Sequence, residues 1–216
     1  MKKAFKFQLI LSFLVVACIV NAQKYRLEVG YTNPDRFETN VSSTYFNGIQ
    51  LGGTAEFDLK NNVSLLTGVL YNFVYSNKIQ TYPNRDSVIY SSFGHFLDIP
   101  LRVIYSLPIN KNLRFFGFAG PNLNIGLFQN QNITSNMSTS LNLINNIIPG
   151  KTDFYKNSIL NRLNLQIGVG GGVQWKNYQL KSGYDFGIND LNKTTLGNQY
   201  QKGWYVTFAY EFNQKK

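Results

Sequence analysis

The chain has 216 residues, with 21 Lys and Arg against 11 Asp and Glu, and a single His and a single Cys. One cysteine excludes a disulfide framework, and one histidine leaves metal sites unsupported. The basic excess gathers in no helix or compact patch, so nucleic-acid binding is not expected; no cofactor is expected either.

The N-terminus has the three zones of a secretory signal. Lys2, Lys3 and Lys6 form a basic start, and an apolar run from Phe7 to Val20 follows, broken by Gln8 and Ser12. Val20-Asn21-Ala22 then closes a small-residue cleavage site, leaving Gln23 as the first mature residue. The run is shorter than the roughly 20 apolar residues of a membrane-spanning helix. Val15-Val16-Ala17-Cys18 offers a rival lipoprotein reading but lacks the usual leucine three positions before the cysteine. Residues 1–22 are read as a signal peptide and 23–216 as one domain. Without the signal's three lysines, 18 bases stand against 11 acids, a balance of +7.

Beyond the signal the chain alternates with a period of two, the mark of strands. In chain order the apolar faces are Tyr25, Leu27, Val29 and Tyr31; Ile49, Leu51, Ala55 and Phe57; Val63, Leu65, Val69, Tyr71 and Phe73. Next come Leu97, Ile99, Leu101, Val103 and Tyr105; then Leu113, Phe115, Ala119, Leu123, Ile125 and Leu127. The last three are Leu163, Leu165, Ile167, Val169, Val173 and Trp175; Tyr178, Leu180, Tyr184 and Phe186; and Trp204, Val206, Phe208, Tyr210 and Phe212.

Every charge within these eight runs lies on the opposite face: Arg26, Glu28, Glu56, Asp58, Asp98, Arg102, Arg114, Lys181, Asp185 and Glu211. A charge facing lipid near the bilayer centre costs roughly 2–4 kcal/mol. An aromatic content of 15%, the signal and the charge-free apolar faces favour apolar side chains outward, toward lipid. Mean hydropathy is −0.19. That value fits strands whose two faces average out, and no stretch suits a membrane helix.

Tight links at Lys60-Asn61-Asn62, Ser106 to Asn112, and Lys176-Asn177 alternate with long segments at 32–44, 76–92, 129–159 and 189–202. Short periplasmic turns and long outer loops have this signature. The expected fold is therefore all-β: an eight-stranded antiparallel up-and-down transmembrane barrel, closed so that no strand edge meets lipid. Such a barrel is just wide enough to be filled by side chains. The ten inward charges would form a packed network with Asn122, Asn124, Asn164, Gln166 and Gln174. Gly168, Gly170 and Gly172 would leave room for Phe116 and Phe118. No wide channel is expected. Pro100, lacking an N–H, should mark a bulge or local bend.

Candidate chemistry is sparse. His95 has Ser91 and Ser92 near it in sequence, but Phe96-Leu97 follow it and no His-x-Ser arrangement exists. Asp98 and Arg102 share the inward face, where they could line an ion path but are expected to belong to an interior salt-bridge network with Glu56, Arg114 or Asp185. The run Gly168-Val169-Gly170-Gly171-Gly172 lacks the spacing of a dinucleotide loop. The segment 129–159 is the best candidate for a specific role. Within it Leu141, Ile144 and Ile148 share one helical face, with Leu143 and Ile147 beside them. Two readings stand: an amphipathic helix lying on the membrane or contacting a partner, or a mobile polar loop.

Several motifs resemble a known family. Phe96-Leu97-Asp98-Ile99-Pro100-Leu101-Arg102 is similar to the aromatic-Leu-acid-Ile-Pro-Leu core of the PorT-like outer-membrane barrels of Bacteroidota. Gly117-Phe118-Ala119-Gly120-Pro121, the glycine-rich sixth strand, and Ser182-Gly183-Tyr184-Asp185-Phe186-Gly187-Ile188-Asn189-Asp190-Leu191 extend the likeness over the mature chain. The resemblance implies the barrel fold and an outer-membrane location in a Gram-negative envelope. The family's founding member is associated with protein secretion across that membrane.

These readings converge on a non-enzymatic barrel surrounded by outer-membrane lipid, structural or binding an envelope or secretion protein through its outer loops. A narrow solute channel and a lipid-modifying enzyme are the alternatives, and a soluble ligand-binding barrel is the structural rival.

Overall fold

The computed structural model describes residues 24–38, 41–82, 86–194 and 197–213; the expected export signal, 1–22, lies outside them. Among the described residues ten strands follow one another: β1 (Lys24–Glu38), β2 (Val41–Tyr45), β3 (Asn47–Asp58), β4 (Val63–Thr81), β5 (Ser87–Pro108), β6 (Leu113–Ser135), β7 (Gly150–Asp153), β8 (Leu163–Trp175), β9 (Tyr178–Gly187) and β10 (Gln199–Asn213). Among the described residues one short helix, α1 (Thr139–Ile144), lies between β6 and β7.

All pairings are antiparallel. The sheet runs β1-β3-β4-β5-β6-β8-β9-β10 and closes where β10 pairs with β1 over fifteen residues, from Lys24 opposite Asn213 to Glu38 opposite Gln199. Eight strands therefore form the ring. The short β2 adds to β1 and the short β7 to β6.

Each strand alternates as its sequence dictates, with the usual sense of a water-soluble protein reversed. On β5, Val103 is 53% exposed while its neighbour Arg102 is 3% exposed. The same inversion holds for Leu27 beside Arg26 and Phe208 beside Thr207. A wall that turns Leu, Val, Phe and Trp outward and buries Arg and Glu is at a minimum of free energy only when the surrounding medium is hydrocarbon.

Of the segments expected as long outer loops, 32–44 and 76–92 are largely strand, which corrects that expectation for them, whereas 129–159 and 189–202 lie mostly outside strands, as expected. β4, β5 and β6 have 19, 22 and 23 residues, about twice the 9–11 that cross a bilayer. They rise past the membrane as an extended sheet carrying β7 on its far side. β9, with ten residues, stops near the lipid surface.

Pro100 produces no bulge. It pairs with Asn122 and the register is the same on either side, but the ladder is interrupted toward β4 between Leu101 and Asp98 and toward β6 between Pro100 and Val103. The gap toward β4 follows from the missing N–H. The bulge of β5 and β6 lies instead at His95/Phe96, where β6 carries the extra residue Leu127.

Candidate functional site

The barrel interior is built in layers. Nearest the short turns, Glu56 is a hub. Its carboxylate accepts from Arg26 Nη2 at 2.5 Å, from Arg114 Nη1 and Nη2 at 3.2 Å each, and from Ser64 Oγ at 2.8 Å. Arg26 also donates to Glu211 at 2.6 Å, and Lys24 reaches Asp58 at 2.6 Å. Arg26 on β1 and Glu211 on β10 meet because the ring closes between those strands. Asp58 lies at the exposed rim of this layer. Lys24 joins the cluster although the sequence reading did not include it.

In the next layer, Lys181 Nζ lies 2.7 Å from Glu28, which also accepts from Thr54 Oγ1 at 2.5 Å. Beside them Leu66, Ile104, Phe116 and Phe118 form an apolar cluster across the lumen. The glycines of β8 make room for it: a Cβ at Gly170 would lie 2.3 Å from Phe118 Cζ, and one at Gly172 2.5 Å from Phe116 Cζ.

The central layer holds Arg102 and Asp185, paired at 2.5 Å; Arg102 also donates to the Gly120 carbonyl. Asp98 does not join them in an ion pair, contrary to expectation. Among the described residues no cation lies within salt-bridge distance of it. It accepts instead from four side-chain amides: Asn72 and Asn124 at 2.7 Å each, Asn122 at 3.1 Å and Gln50 at 3.4 Å. Two residues four apart on a strand stand roughly 13 Å apart. Sharing a face therefore does not let Asp98 reach Arg102: β3, β4 and β6 supply the amides around Asp98, and β9, which does not adjoin β5 in the ring, supplies Asp185 to Arg102. Two cavities in this layer measure about 30 Å³ each, room for one or two waters.

The outer mouth is filled by a second apolar cluster, absent from the sequence reading: Phe46, Val74, Phe96, Tyr155, Leu160 and Leu191. The segment between β7 and β8 folds inward to supply Tyr155 and Leu160. Arg162 covers the Tyr155 ring at 4.6 Å and donates to the Gly126 and Leu127 carbonyls at 3.0 and 2.8 Å. Burial pushes the Tyr155 phenol above its ordinary range, against the opposing pull of Arg36 and Arg162. The phenol therefore stays neutral here. The sequence signal for this plug is the pair of apolar steps Phe154-Tyr155 and Ile159-Leu160 inside a polar segment.

Above the mouth, α1 is capped by Ser138, whose hydroxyl accepts from the Leu141 N–H. Met137 and Ile147 are buried against Val88, with Tyr90 and Ile133 beside them. Val88 lies on the face of β5 continuous with the barrel interior, so this segment leans over the mouth and away from lipid. Of the three residues expected on one helical face, Leu141 and Ile144 lie in α1 and Ile148 lies beyond its end. The helix ends at Ile144, Ile147 is buried, and Leu141, Leu143, Ile144 and Ile148 are exposed.

His95 stands on the outward face among Phe73, Phe93 and Phe128, with its Nδ1 bonded to the Tyr71 hydroxyl. Ser92 is buried on the inward face, and Ser91 Oγ is turned to Asn77. The structure thus brings neither serine to the histidine. Among the described residues no group of three or more His, Cys, Asp or Glu is placed to hold a metal.

Residues 15–193 match a family model described as the outer membrane protein beta-barrel domain. No curated protein matches the chain. Among solved structures, Neisserial surface protein A is 13% identical, with a TM-score of 0.47, over 87% of this chain and 97% of that one. Ail, the attachment invasion locus protein of Yersinia pestis, solved with the heparin analogue sucrose octasulfate, is 14% identical with a TM-score of 0.39, over 88% and 98%. The outer membrane enzyme PagL is 12% identical with a TM-score of 0.38, over 87% and 98%. These likenesses assign no activity. With the family match extending over most of the chain, the protein belongs to the outer membrane protein beta-barrel domain family, and its place is the outer membrane.

Proposed function

We propose that the protein is a sealed, non-enzymatic surface barrel, of the PorT-like kind found in Bacteroidota, whose outer end docks another envelope or secretion protein. The reading includes export by residues 1–22 with cleavage after Ala22. The observation that carries it is a contrast between the two ends of the molecule's chemistry. Inside, charges are matched by ions or amides and the lumen is crossed by two apolar clusters. Outside, Leu143, Ile144 and Ile148 stand 70–81% exposed on a segment held over the mouth. Apolar side chains held clear of lipid and of the protein's own core are the kind of surface a protein partner covers. Small central cavities argue against solute conduction, and the separation of His95 from Ser92 argues against hydrolysis.

The test begins with the full chain expressed with its signal in a Gram-negative host. The reading expects outer-membrane fractionation, heat-modifiable mobility, a mature N-terminus at Gln23 and no conductance in planar bilayers. Surface crosslinking from a probe placed at the exposed Asn145 should capture one defined protein, and the double substitution Ile144→Asp with Ile148→Asp, with the probe kept at position 145, should abolish that product while the barrel still folds. Steady conductance, or a crosslinking pattern unchanged by the two substitutions, would overturn it.

A further inference from the structure

The three short turns carry a repeated feature that neither the fold nor the proposed docking at the other end requires. Leu59-Lys60-Asn61-Asn62 joins β3 to β4, Ile109-Asn110-Lys111-Asn112 joins β5 to β6, and Lys176-Asn177 follows Trp175 between β8 and β9. Each contains Lys-Asn, and each lies beside a large exposed apolar residue: Leu59, Ile109 or Trp175.

Turn chemistry accounts for the asparagines. Asn61 and Asn62 take φ of 55° and 63°, the left-handed region Asn tolerates. Asn110 Oδ1 accepts from the N–H groups of Asn112 and Leu113 at 2.8 and 2.9 Å, and Asn177 Nδ2 donates to the Glu211 carbonyl at 2.8 Å. It does not account for the lysines. Among the described residues none of the three has a carboxylate within ion-pair distance. The exposed acid of this rim, Asp58, is already bound to Lys24. Lys176 itself holds a φ of 53°, where Gly or Asn would be less strained. Its Nζ lies 4.9 Å from the centre of the Trp175 ring, so the two side chains form one amphipathic unit.

We infer that these three turns form a ring of binding sites for the phosphate groups of anionic phospholipids in the periplasmic leaflet. Short turns hold the lysines level with the headgroups rather than projecting beyond them. Leu59, Ile109 and Trp175 enter the boundary of the acyl chains, while each lysine stem runs along apolar surface and places its ammonium at the phosphate. An exposed apolar residue beside each cation favours a lipid surface over a soluble anionic partner, which would leave those side chains in water. Near an anionic surface each lysine contributes roughly a fivefold preference.

The test uses the full mature chain reconstituted in phosphatidylcholine containing trace spin-labelled phosphatidylglycerol or spin-labelled phosphatidylcholine. The fraction of each label immobilised at the protein is then measured at low and high salt. Wild type should enrich phosphatidylglycerol several-fold, with the preference fading as salt rises. The triple variant Lys60→Gln, Lys111→Gln, Lys176→Gln should lose that enrichment while keeping heat-modifiable mobility and the same phosphatidylcholine contact. Lys151→Gln with Lys156→Gln, at the outer end, should keep the enrichment. Equal immobilisation of both lipids by wild type would overturn the inference and leave the lysines to a soluble anionic partner. Retained enrichment in the triple variant would overturn it as well.

Discussion

Gly168 and Asp185 face each other across β8 and β9, and the missing side chain of Gly168 is what lets the Asp185 carboxylate meet Arg102. A Cβ at Gly168 would fall 1.7 Å from Asp185 Oδ1 and 2.6 Å from Arg102 Nη1. The central ion pair of the barrel thus occupies space that a glycine on a third strand leaves open.

Gly168→Ala is therefore expected to destabilise the barrel by about 1–3 kcal/mol, the range for inserting a methyl group into a packed interior. The urea midpoint of the mature protein folded in detergent micelles measures it. Gly117→Ala, at an outward-facing site with only an ordinary contact at 3.8 Å, should shift the same midpoint little.

Glu56→Gln should be the most damaging conservative change in the interior, by about 3–5 kcal/mol, because Arg26 and Arg114 keep their charges and lose their common carboxylate. Equilibrium unfolding of the variant beside wild type tests this. An unchanged midpoint would mean the hub carries no net stability.

Asp98→Asn removes a buried charge yet is expected to destabilise by about 1–3 kcal/mol. The carboxylate accepts from Asn122 and Asn124 on one oxygen and from Asn72 and Gln50 on the other. An amide can satisfy only one of those pairs and turns its own NH₂ toward the second. Unfolding measurements on Asp98→Asn and Asp98→Leu together separate the cost of mispaired donors from the cost of losing the charge.

Val103→Lys places a cation on the lipid face of β5 and should cost about 2–4 kcal/mol if the residue lies near the bilayer midplane. On a water-exposed surface the same change would fall within about 0.5 kcal/mol. Folding titrations in phospholipid vesicles distinguish the two directly.

Ile147→Asp should release the α1 segment without opening the barrel, since Ile147 packs on Val88 and Met137 and not within the lumen. Limited proteolysis of intact cells would then cut between residues 136 and 150 in the variant and spare wild type, while heat-modifiable mobility stays the same.

The contrast between readable and unreadable parts follows the solvent. Where hydrocarbon surrounds the wall, each strand must alternate, and Leu101, Val103 and Tyr105 against Arg102 and Ile104 declare both strand and facing. Past the lipid surface that demand ends. Asn77 and Ser91 share the outward face there, the alternation fades, and the upper parts of β4, β5 and β6 read as loop although their backbone pairing continues. The inward tuck of Tyr155 and Leu160 escaped for a related reason: isolated apolar pairs in a polar segment have no period to reveal them.

The strand pattern, the outward and inward faces, the turns and the glycine positions that admit Phe116 and Phe118 are all written in the residues, because each is set by local alternation, turn chemistry and side-chain size. Which side chain pairs with which emerges with the closed barrel. Arg26 meets Glu211 because the last strand closes on the first, Arg102 takes Asp185 in place of its neighbour Asp98, and Asp98 is held by amides from three other strands. Those choices depend on strand register around a closed ring, and register is a property of the whole sheet that no single run of residues carries.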